Sequence, residues 1–136
     1  MSEQISAELQ AKADAAAALL KKSLIDHDSS IVFANSLGAE DVVIADLISK
    51  NSPEISNFVL DTGRLPEETL KLLVDVQARY SNLTVNVYYP EAADVEAYVT
   101  ENGVNGFYGS QELRKGCCFV RKIKPLKRAL SGNKAW

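Results

Sequence analysis

The sequence contains few of the residues that build disulfide frameworks or metal sites. Its 136 residues include only two cysteines and one histidine. The cysteines are adjacent, Cys117 and Cys118, and a disulfide between neighbours would strain the peptide that joins them. The C-x₂-C spacing of a zinc site is missing, and His27 is remote from both thiols in the sequence. These absences argue against a disulfide-stapled scaffold and a conventional zinc site.

Long apolar runs and targeting signals are also missing. No window approaches the roughly 18 apolar residues of a transmembrane helix. The N-terminal stretch MSEQISAELQAKADAAAALL has neither a basic n-region nor a cleavage signal, so we predict a cytoplasmic protein with no membrane partner. With 46% hydrophobic and 24% charged residues, the composition fits a single globular domain over residues 1–136.

The charges are distributed unevenly along the chain. Residues 111–136 carry eight basic side chains and one acidic one, a net +7, whereas residues 1–110 carry a net −10, which together give −3. The basic segment favours an anionic ligand. Phe119 is the only aromatic residue interleaved with its cations, so we predict no nucleic-acid partner. A solvated basic helix face is the simpler alternative.

The hydrophobic pattern alternates between strands and helices. It predicts strands over 31–36, 57–62 and 83–89, and helices over 3–25, 42–50, 66–80 and 92–102. Such alternation predicts an α/β fold, a twisted parallel sheet with helices on both faces. The loops SLGAED, DTGRLP and YYPEA would then lie along one edge of the sheet, where ligands bind in folds of this kind.

The loop 36-SLGAED-41 combines a hydroxyl residue, a glycine and a helix start. Gly38 would let a ligand approach the backbone, and Ser36 with the first helical amides could donate to an oxyanion. The loop matches neither the GxxxxGK[ST] nor the GxGxxG fingerprint. An ordinary helix cap by Ser36 or Asp41 is the alternative that this stretch leaves open.

The loop 60-LDTGRLPEET-69 follows the second strand. Asp61 would suit a ribose hydroxyl or a main-chain amide, and Gly63 permits a tight turn. Arg64 could pair with a phosphate or sulfate, or stack on a base. A turn followed by a helix start explains Asp61 and the proline and glutamates equally well, although it does not require Arg64.

The stretch 114-RKGCCFVRKIKPLKR-128 holds both thiols among cations. We expect Ser110 to cap the helix that contains it, and neighbouring cations stabilise thiolates. Side chains at adjacent positions of a regular helix diverge by about 100°, so two such thiols cannot grip one small ion. They could bind two corners of a larger cluster, or one ion if the backbone distorts. A pair of small buried apolar side chains is the alternative.

Together, SLGAED, LDTGRLPEET and YGSQELRKGCCFVRKIKPLKRAL resemble the phosphoadenylyl-sulfate/adenylyl-sulfate (PAPS/APS) reductase family of assimilatory sulfate reduction. The resemblance implies an adenine nucleotide alpha hydrolase-like fold of the PP-loop type. It also implies reduction of adenylyl sulfate, or its 3′-phosphorylated form, to sulfite and AMP or PAP, with thioredoxin-like thiols as electron donor. The short SLGAED loop would cradle the sulfated nucleotide and would no longer split ATP.

The resemblance assigns eight residues to the nucleotide site. Those beside the phosphosulfate would be Ser36, Leu37, Gly38, Glu40 and Asp41. Those beside the adenosine would be Asp61, Gly63 and Arg64.

The resemblance also implies a [4Fe–4S] cluster. Cys117 and Cys118 would supply half of its ligands, and Lys122 would lie between cluster and substrate as electrostatic support. Four thiolates hold such a cluster in most proteins, and this chain has two. The cluster would therefore be absent or incomplete in this chain.

The resemblance implies that the catalytic nucleophile is a cysteine near the C-terminal end of the whole protein. It also implies that a Cys-x-x-Cys pair and this cysteine follow the region that the present chain matches. We therefore expect the attacking cysteine to lie beyond Trp136, with no catalytic nucleophile among residues 1–136. The chain would then be an N-terminal portion, incomplete in its sheet and inactive alone.

Three alternatives remain open at this point. The chain could be a non-catalytic adenine-nucleotide-binding module. It could be a homo-oligomeric cluster carrier in which each subunit gives two thiols. It could also be an interaction domain whose basic helix binds an acidic partner.

Overall fold

The computed structural model describes residues 4–136, so the first position of the helix predicted over 3–25 lies outside the described residues. The helices are α1 (Ala7–Asp26), α2 (Ala39–Asn51), α3 (Glu67–Arg79), α4 (Ala92–Asn102), α5 (Gln111–Cys118) and α6 (Lys124–Leu130). The strands are β1 (Val32–Ala34), β2 (Ser56–Leu60) and β3 (Val85–Tyr88). A 3₁₀ helix covers Gly106–Tyr108, and a π-helical turn covers Phe119–Ile123.

The three strands form a parallel sheet in the order β1–β2–β3, as the alternation predicts. Phe58 of β2 lies opposite Ala34 of β1 and Asn86 of β3. On the outer side of β1, Ala135 bridges Ile31 in parallel orientation. β1 therefore has β2 on one side and a much later segment on the other. The carboxyl end of a strand at such a change of direction is where α/β sheets open a crevice.

Helices cover both faces of the sheet, because successive residues of β2 point to opposite sides. On one face, α2 and α3 enclose a buried cluster of Leu37, Val59, Leu73, Val76 and Tyr80. On the other face, α6 packs a second buried cluster of Val32, Phe58 and Ala129. Phe58 is 1% exposed, and burying a side chain of this size contributes about 1.5–3 kcal/mol. The structure thus confirms the prediction of helices on both faces of a parallel sheet.

Helix α1 lies against α2. Its N-cap is Ser6, whose hydroxyl accepts from the Leu9 amide at 3.2 Å. The alanine-rich sequence supports the helix through intrinsic propensity, and none of its residues is fully buried. Within residues 4–136, no helix combines the length and apolarity needed to cross a membrane.

Local signals set several boundaries as predicted. The Ser110 hydroxyl accepts from the Leu113 amide at 3.1 Å and caps α5, and Gly103 ends α4 at φ 83°. Helix α3 begins one residue later than predicted, at Glu67, so Pro66 is its N-cap. Helix α2 begins earlier than predicted, at Ala39, with Gly38 as an N-cap that has no side-chain bond.

A π-helical turn joins α5 to α6 in one continuous helical segment. The Lys124 amide donates to the Phe119 carbonyl, a spacing of five residues. Pro125 follows at once and has no amide hydrogen for an α-helical bond. We attribute the wider turn to Pro125. Proline cannot donate the α-helical hydrogen bond to the carbonyl four residues earlier, and its ring clashes with that carbonyl, so the preceding turn opens into a π turn. The turn begins directly after Cys118, so the thiol pair stands where the regular helix ends.

Candidate functional site

A cleft of about 560 Å³ opens at the carboxyl ends of β1 and β2. Its walls are the loop after β1, the loop after β2, the 3₁₀ helix and the helical segment with the thiols. Its floor is apolar and includes Phe58, Leu60 and Leu126. The sheet topology thus brings three segments of distant sequence to one crevice.

Six of the eleven predicted site residues line this cleft. They are Ser36, Leu37, Arg64, Cys117, Cys118 and Lys122. The other five stand in the same loops but do not line it. They are Gly38, Glu40, Asp41, Asp61 and Gly63. The loop YYPEA does not line the cleft either, and Arg128 of α6 pairs with Glu91 there at 2.5 Å.

The loop after β1 is held by its own side chains. One carboxylate oxygen of Asp41 accepts from both the amide and the hydroxyl of Ser36, each at 2.6 Å. Leu37 has a left-handed backbone with φ 64°, and its amide donates to the Asn35 side-chain oxygen at 2.8 Å. Asp41 therefore fixes Ser36 from within the first turn of α2 without being the N-cap.

A side chain at Gly38 would meet only the flexible end of Glu40, and the extended backbone of Gly38 (φ −66°) does not require glycine. A Cβ atom at this position would lie 3.0 Å from a carboxylate oxygen of Glu40. Glu40 is exposed and also lies in the first turn of α2. The carboxylates of Glu40 and Asp41 at the positive end of the helix dipole stabilise α2, and neither residue lines the cleft.

The loop after β2 is a compact turn. The Gly63 amide donates to the Asp61 carboxylate at 2.8 Å, and the Arg64 amide donates to the Thr62 hydroxyl at 3.1 Å. Gly63 has φ 76°, a conformation that strains other residues. Asp61 thus serves the turn, as the simpler interpretation of this loop has it.

The side chain of Arg64 is turned toward the segment before α5. Its guanidinium donates to the Val104 carbonyl at 3.3 Å and to the Asn105 side-chain oxygen at 3.1 Å. The same group lies 4.7 Å from the centre of the Phe107 ring. Arg64 lines the cleft while two of its five N–H donors bond within the protein.

The two thiols have different surroundings. Cys117 is buried and Cys118 is exposed, and both line the cleft. The Tyr98 hydroxyl donates to the Leu113 carbonyl at 2.7 Å, in the helix that carries the thiols. Partial burial raises the pKa of the Tyr98 hydroxyl above its ordinary value of 10.0, the electrostatic effect of Cys117 raises it further, and the Arg121 guanidinium partly opposes them. No group of three or more His, Cys, Asp or Glu side chains is placed to hold a metal in residues 4–136.

The cleft is cationic although the chain is acidic overall. Arg64, Arg121 and Lys122 line it, and none of its lining residues is Asp or Glu. Arg121 donates to the Thr62 carbonyl at 2.7 Å and so joins the π turn to the loop after β2. Across residues 4–136, no hydrogen bond or ion pair engages the Lys122 ammonium, and this side chain is exposed. Lys122 is thus available to an anion.

Of the cleft's lining residues, twelve were not among the predicted site residues. Five of these twelve are Asn35, Thr62, Phe107, Tyr108 and Arg121. Asn35 is 3% exposed, and its side-chain nitrogen has no partner within the described chain. The position of Asn35 at the end of a predicted strand could have identified it as a site residue. Phe107 and Tyr108 carried no such signal, because the contact of their segment with Arg64 spans about forty residues of sequence.

Trp136 is not part of the cleft wall. The attacking cysteine is predicted to lie beyond this residue. The Trp136 side chain is 69% exposed and does not line the cleft. The preceding residue, Ala135, pairs with Ile31 at the outer side of β1. The two thiols that line the cleft, Cys117 and Cys118, are the ones predicted as cluster ligands. The position of the attacking cysteine beyond Trp136 stays a prediction.

Comparisons with known proteins agree on one family. The model of the phosphoadenosine phosphosulfate reductase domain matches residues 30–136. An adenosine 5′-phosphosulfate reductase of Allochromatium vinosum is 46% identical over 123 residues, which cover 90% of this chain and 48% of the relative. The proteins of the same name from Sinorhizobium fredii and Burkholderia cepacia are 50% and 43% identical. The matches cover 80% and 95% of this chain, and 43% and 51% of those relatives.

A solved structure resembles the fold. The crystal structure of phosphoadenylyl-sulfate reductase from Candida auris, a phosphate complex, superposes with a TM-score of 0.73 at 22% identity. The superposition covers 99% of this chain and 68% of that one. The chain spans about half the length of the curated relatives that it matches. It belongs to the phosphoadenosine phosphosulfate reductase domain family.

Proposed function

We propose that this chain is the nucleotide-binding portion of a reductase that converts adenylyl sulfate, or its 3′-phosphorylated form, to sulfite and AMP or PAP. One observation carries the proposal: a cleft of about 560 Å³ with three lining cations, no lining carboxylate and two thiols. Its volume lies in the range of small-molecule sites, and its charge suits an anion. The names of the relatives add the sulfated nucleotide as substrate.

The proposed reaction transfers two electrons from thiols to sulfur. A cysteine thiolate attacks the sulfur of the sulfate group, the bond from sulfur to the bridging oxygen breaks, and AMP leaves. A thiol of a thioredoxin-like donor then attacks the thiosulfonate, sulfite departs, and a disulfide remains. The attacking cysteine would lie beyond Trp136. The residues present here bind and orient the nucleotide, with Lys122 positioned to neutralise its anionic groups.

The donor set matches only half of a [4Fe–4S] site. Cys117 and Cys118 are the two thiols available, one buried and one exposed, whereas four thiolates hold such a cluster in most proteins. The residues of this chain therefore do not fit a complete cluster by themselves, and we derive no step through one. We propose that the remaining cluster ligands come from sequence outside residues 1–136 or from a second copy of the chain.

Calorimetric titration with AMP tests the nucleotide site. Lys122→Ala removes the unengaged cation of the cleft, and we expect it to weaken AMP binding about tenfold, since a charged hydrogen bond contributes about 1.5–3 kcal/mol. Lys127→Ala is the matched control, because Lys127 is an exposed lysine of the same basic segment that does not line the cleft. Equal losses in the two variants would contradict the assignment of the cleft.

An activity assay tests the proposed incompleteness. We expect the 136-residue chain to release no sulfite from adenylyl sulfate in the presence of thioredoxin, because the attacking cysteine is supplied elsewhere. Robust release by the purified chain would refute this part of the proposal and would require Cys117 or Cys118 to act as nucleophile.

A further inference from the structure

The guanidinium of Arg64 is already occupied by protein groups. Both terminal nitrogens donate across the rim of the cleft, to the Val104 carbonyl and to the Asn105 side chain. The flat face of the guanidinium lies over the Phe107 ring at 4.7 Å. Two of the five N–H donors of the guanidinium and one of its faces are thus engaged by the segment before α5, which orients the fork toward that segment.

The loop that carries Arg64 is fixed from its other side as well. Arg121 donates to the Thr62 carbonyl at 2.7 Å, and its guanidinium would lie 3.1 Å from a Cβ atom at position 63. The loop after β2 therefore has one arginine anchoring its backbone to the π turn. Its own arginine reaches a different part of the chain, the segment before α5.

Apart from Arg64, the segment packs mainly against α5 and α4, its neighbours in the sequence. It starts at Gly103, whose φ is 83°, and Val104 is 61% exposed. It then forms the short 3₁₀ helix whose two aromatic rings, Phe107 and Tyr108, line the cleft. Without Arg64, the turn would keep its backbone bonds but lose the side-chain contacts that set its distance from the loop after β2.

We propose that Arg64 is a positioning residue that clamps the 104–107 turn and thereby fixes the aromatic wall of the cleft, and that it is not a ligand of the substrate's anionic groups. This inference rests on the proposed adenine-nucleotide site and deepens it. Because the clamp acts on the shape of the wall, its loss should affect a nucleoside and its phosphate alike. A direct anion ligand would affect only the phosphate.

Calorimetry with adenosine and AMP separates these two roles. We expect Arg64→Ala to weaken both ligands by the same factor, about fivefold, as loss of a cation–π contact with hydrogen bonds implies. We expect Arg64→Lys to behave like Arg64→Ala, since lysine keeps the charge but lacks the planar fork. Arg79→Ala is the control, because Arg79 likewise lies over an aromatic ring, that of Tyr80, but does not line the cleft.

Asn105→Ala offers a second route that leaves the charge in place. It removes one partner of Arg64, so it should weaken both ligands in the same direction, and its effect should not add to that of Arg64→Ala. Selective loss of AMP binding in Arg64→Ala, with Arg64→Lys close to wild type, would overturn the proposal and make Arg64 an anion ligand.

Hydrogen exchange tests the clamp without any ligand. Amides of residues 103–108 should exchange at least about fivefold faster in Arg64→Ala than in Arg79→Ala. Unchanged exchange there would overturn the clamp even if nucleotides bind. If the wild-type chain binds neither adenosine nor AMP while the exchange difference appears, the proposed function fails and the clamp stands.

Discussion

Replacing Asp41 by alanine should destabilise the chain by removing the support of the loop after β1. Its carboxylate accepts from the amide and the hydroxyl of Ser36, both at 2.6 Å. Hydrogen bonds to a charged group contribute about 1.5–3 kcal/mol each when buried, but Ser36 is exposed and water replaces part of the loss. We therefore expect a loss of about 2 kcal/mol, to which the helix dipole adds up to about 1 kcal/mol.

Urea unfolding measures the change in the free energy of unfolding, and thermal unfolding measures the change in Tm. At about 2.1 cal/mol/K per residue, 136 residues give an unfolding entropy of about 0.29 kcal/mol/K, so 2 kcal/mol corresponds to a fall in Tm of about 7 °C. Glu40→Ala is the matched control, because Glu40 is a carboxylate of the same helical turn that does not bond to Ser36. The reasoning is refuted if the two variants lie within about 0.5 kcal/mol of each other.

Three further predictions follow from the packing and the thiol segment. Phe58→Ala should cost about 3–5 kcal/mol in urea unfolding, because the ring is 1% exposed beneath α6. Ellman's reagent should modify the exposed Cys118 much faster than the buried Cys117 in single-cysteine variants. The raised pKa of Tyr98 stabilises the fold below pH 10 and loses this contribution as pH rises above 10, so the stability difference between wild type and Tyr98→Phe should shrink there.

Each of these predictions has a clear contrary result. A cost for Phe58→Ala near that of an exposed substitution, within about 0.5 kcal/mol, would contradict the packing of α6 on the sheet. Equal labelling rates would contradict the different burial of the thiols. A constant difference between wild type and Tyr98→Phe across pH 9 to 11, roughly the range around the ordinary tyrosine pKa, would contradict the raised pKa of Tyr98.

The sequence predicted the parts of the fold that depend on local signals. Gly103 and Ser110 mark helix ends because their effects act within a few residues, and α4 has the predicted bounds. The parallel sheet followed from alternation alone. β1 and β2 end earlier than predicted because Asn35 and Ser36, and likewise Asp61 and Thr62, belong to the loops that follow the strands.

The candidate site was predictable in its location but not in its contacts. Placing two loops and the thiol segment together required only the parallel topology. The engagement of Arg64 with Asn105 and Phe107 spans about forty residues of sequence and depends on where a 3₁₀ helix comes to lie. The π turn after Cys118 also had a signal, Pro125, whose effect on the preceding helical turn is evident only in the structure.

The central claim is that the cleft at the ends of β1 and β2 binds the nucleotide. Backbone amide NMR spectra recorded during titration with AMP test it most directly. We predict that the shifted amides cluster in residues 35–38, 60–65 and 117–122, with α1 unchanged as an internal reference. Shifts concentrated elsewhere, or none at saturating AMP, would contradict the claim.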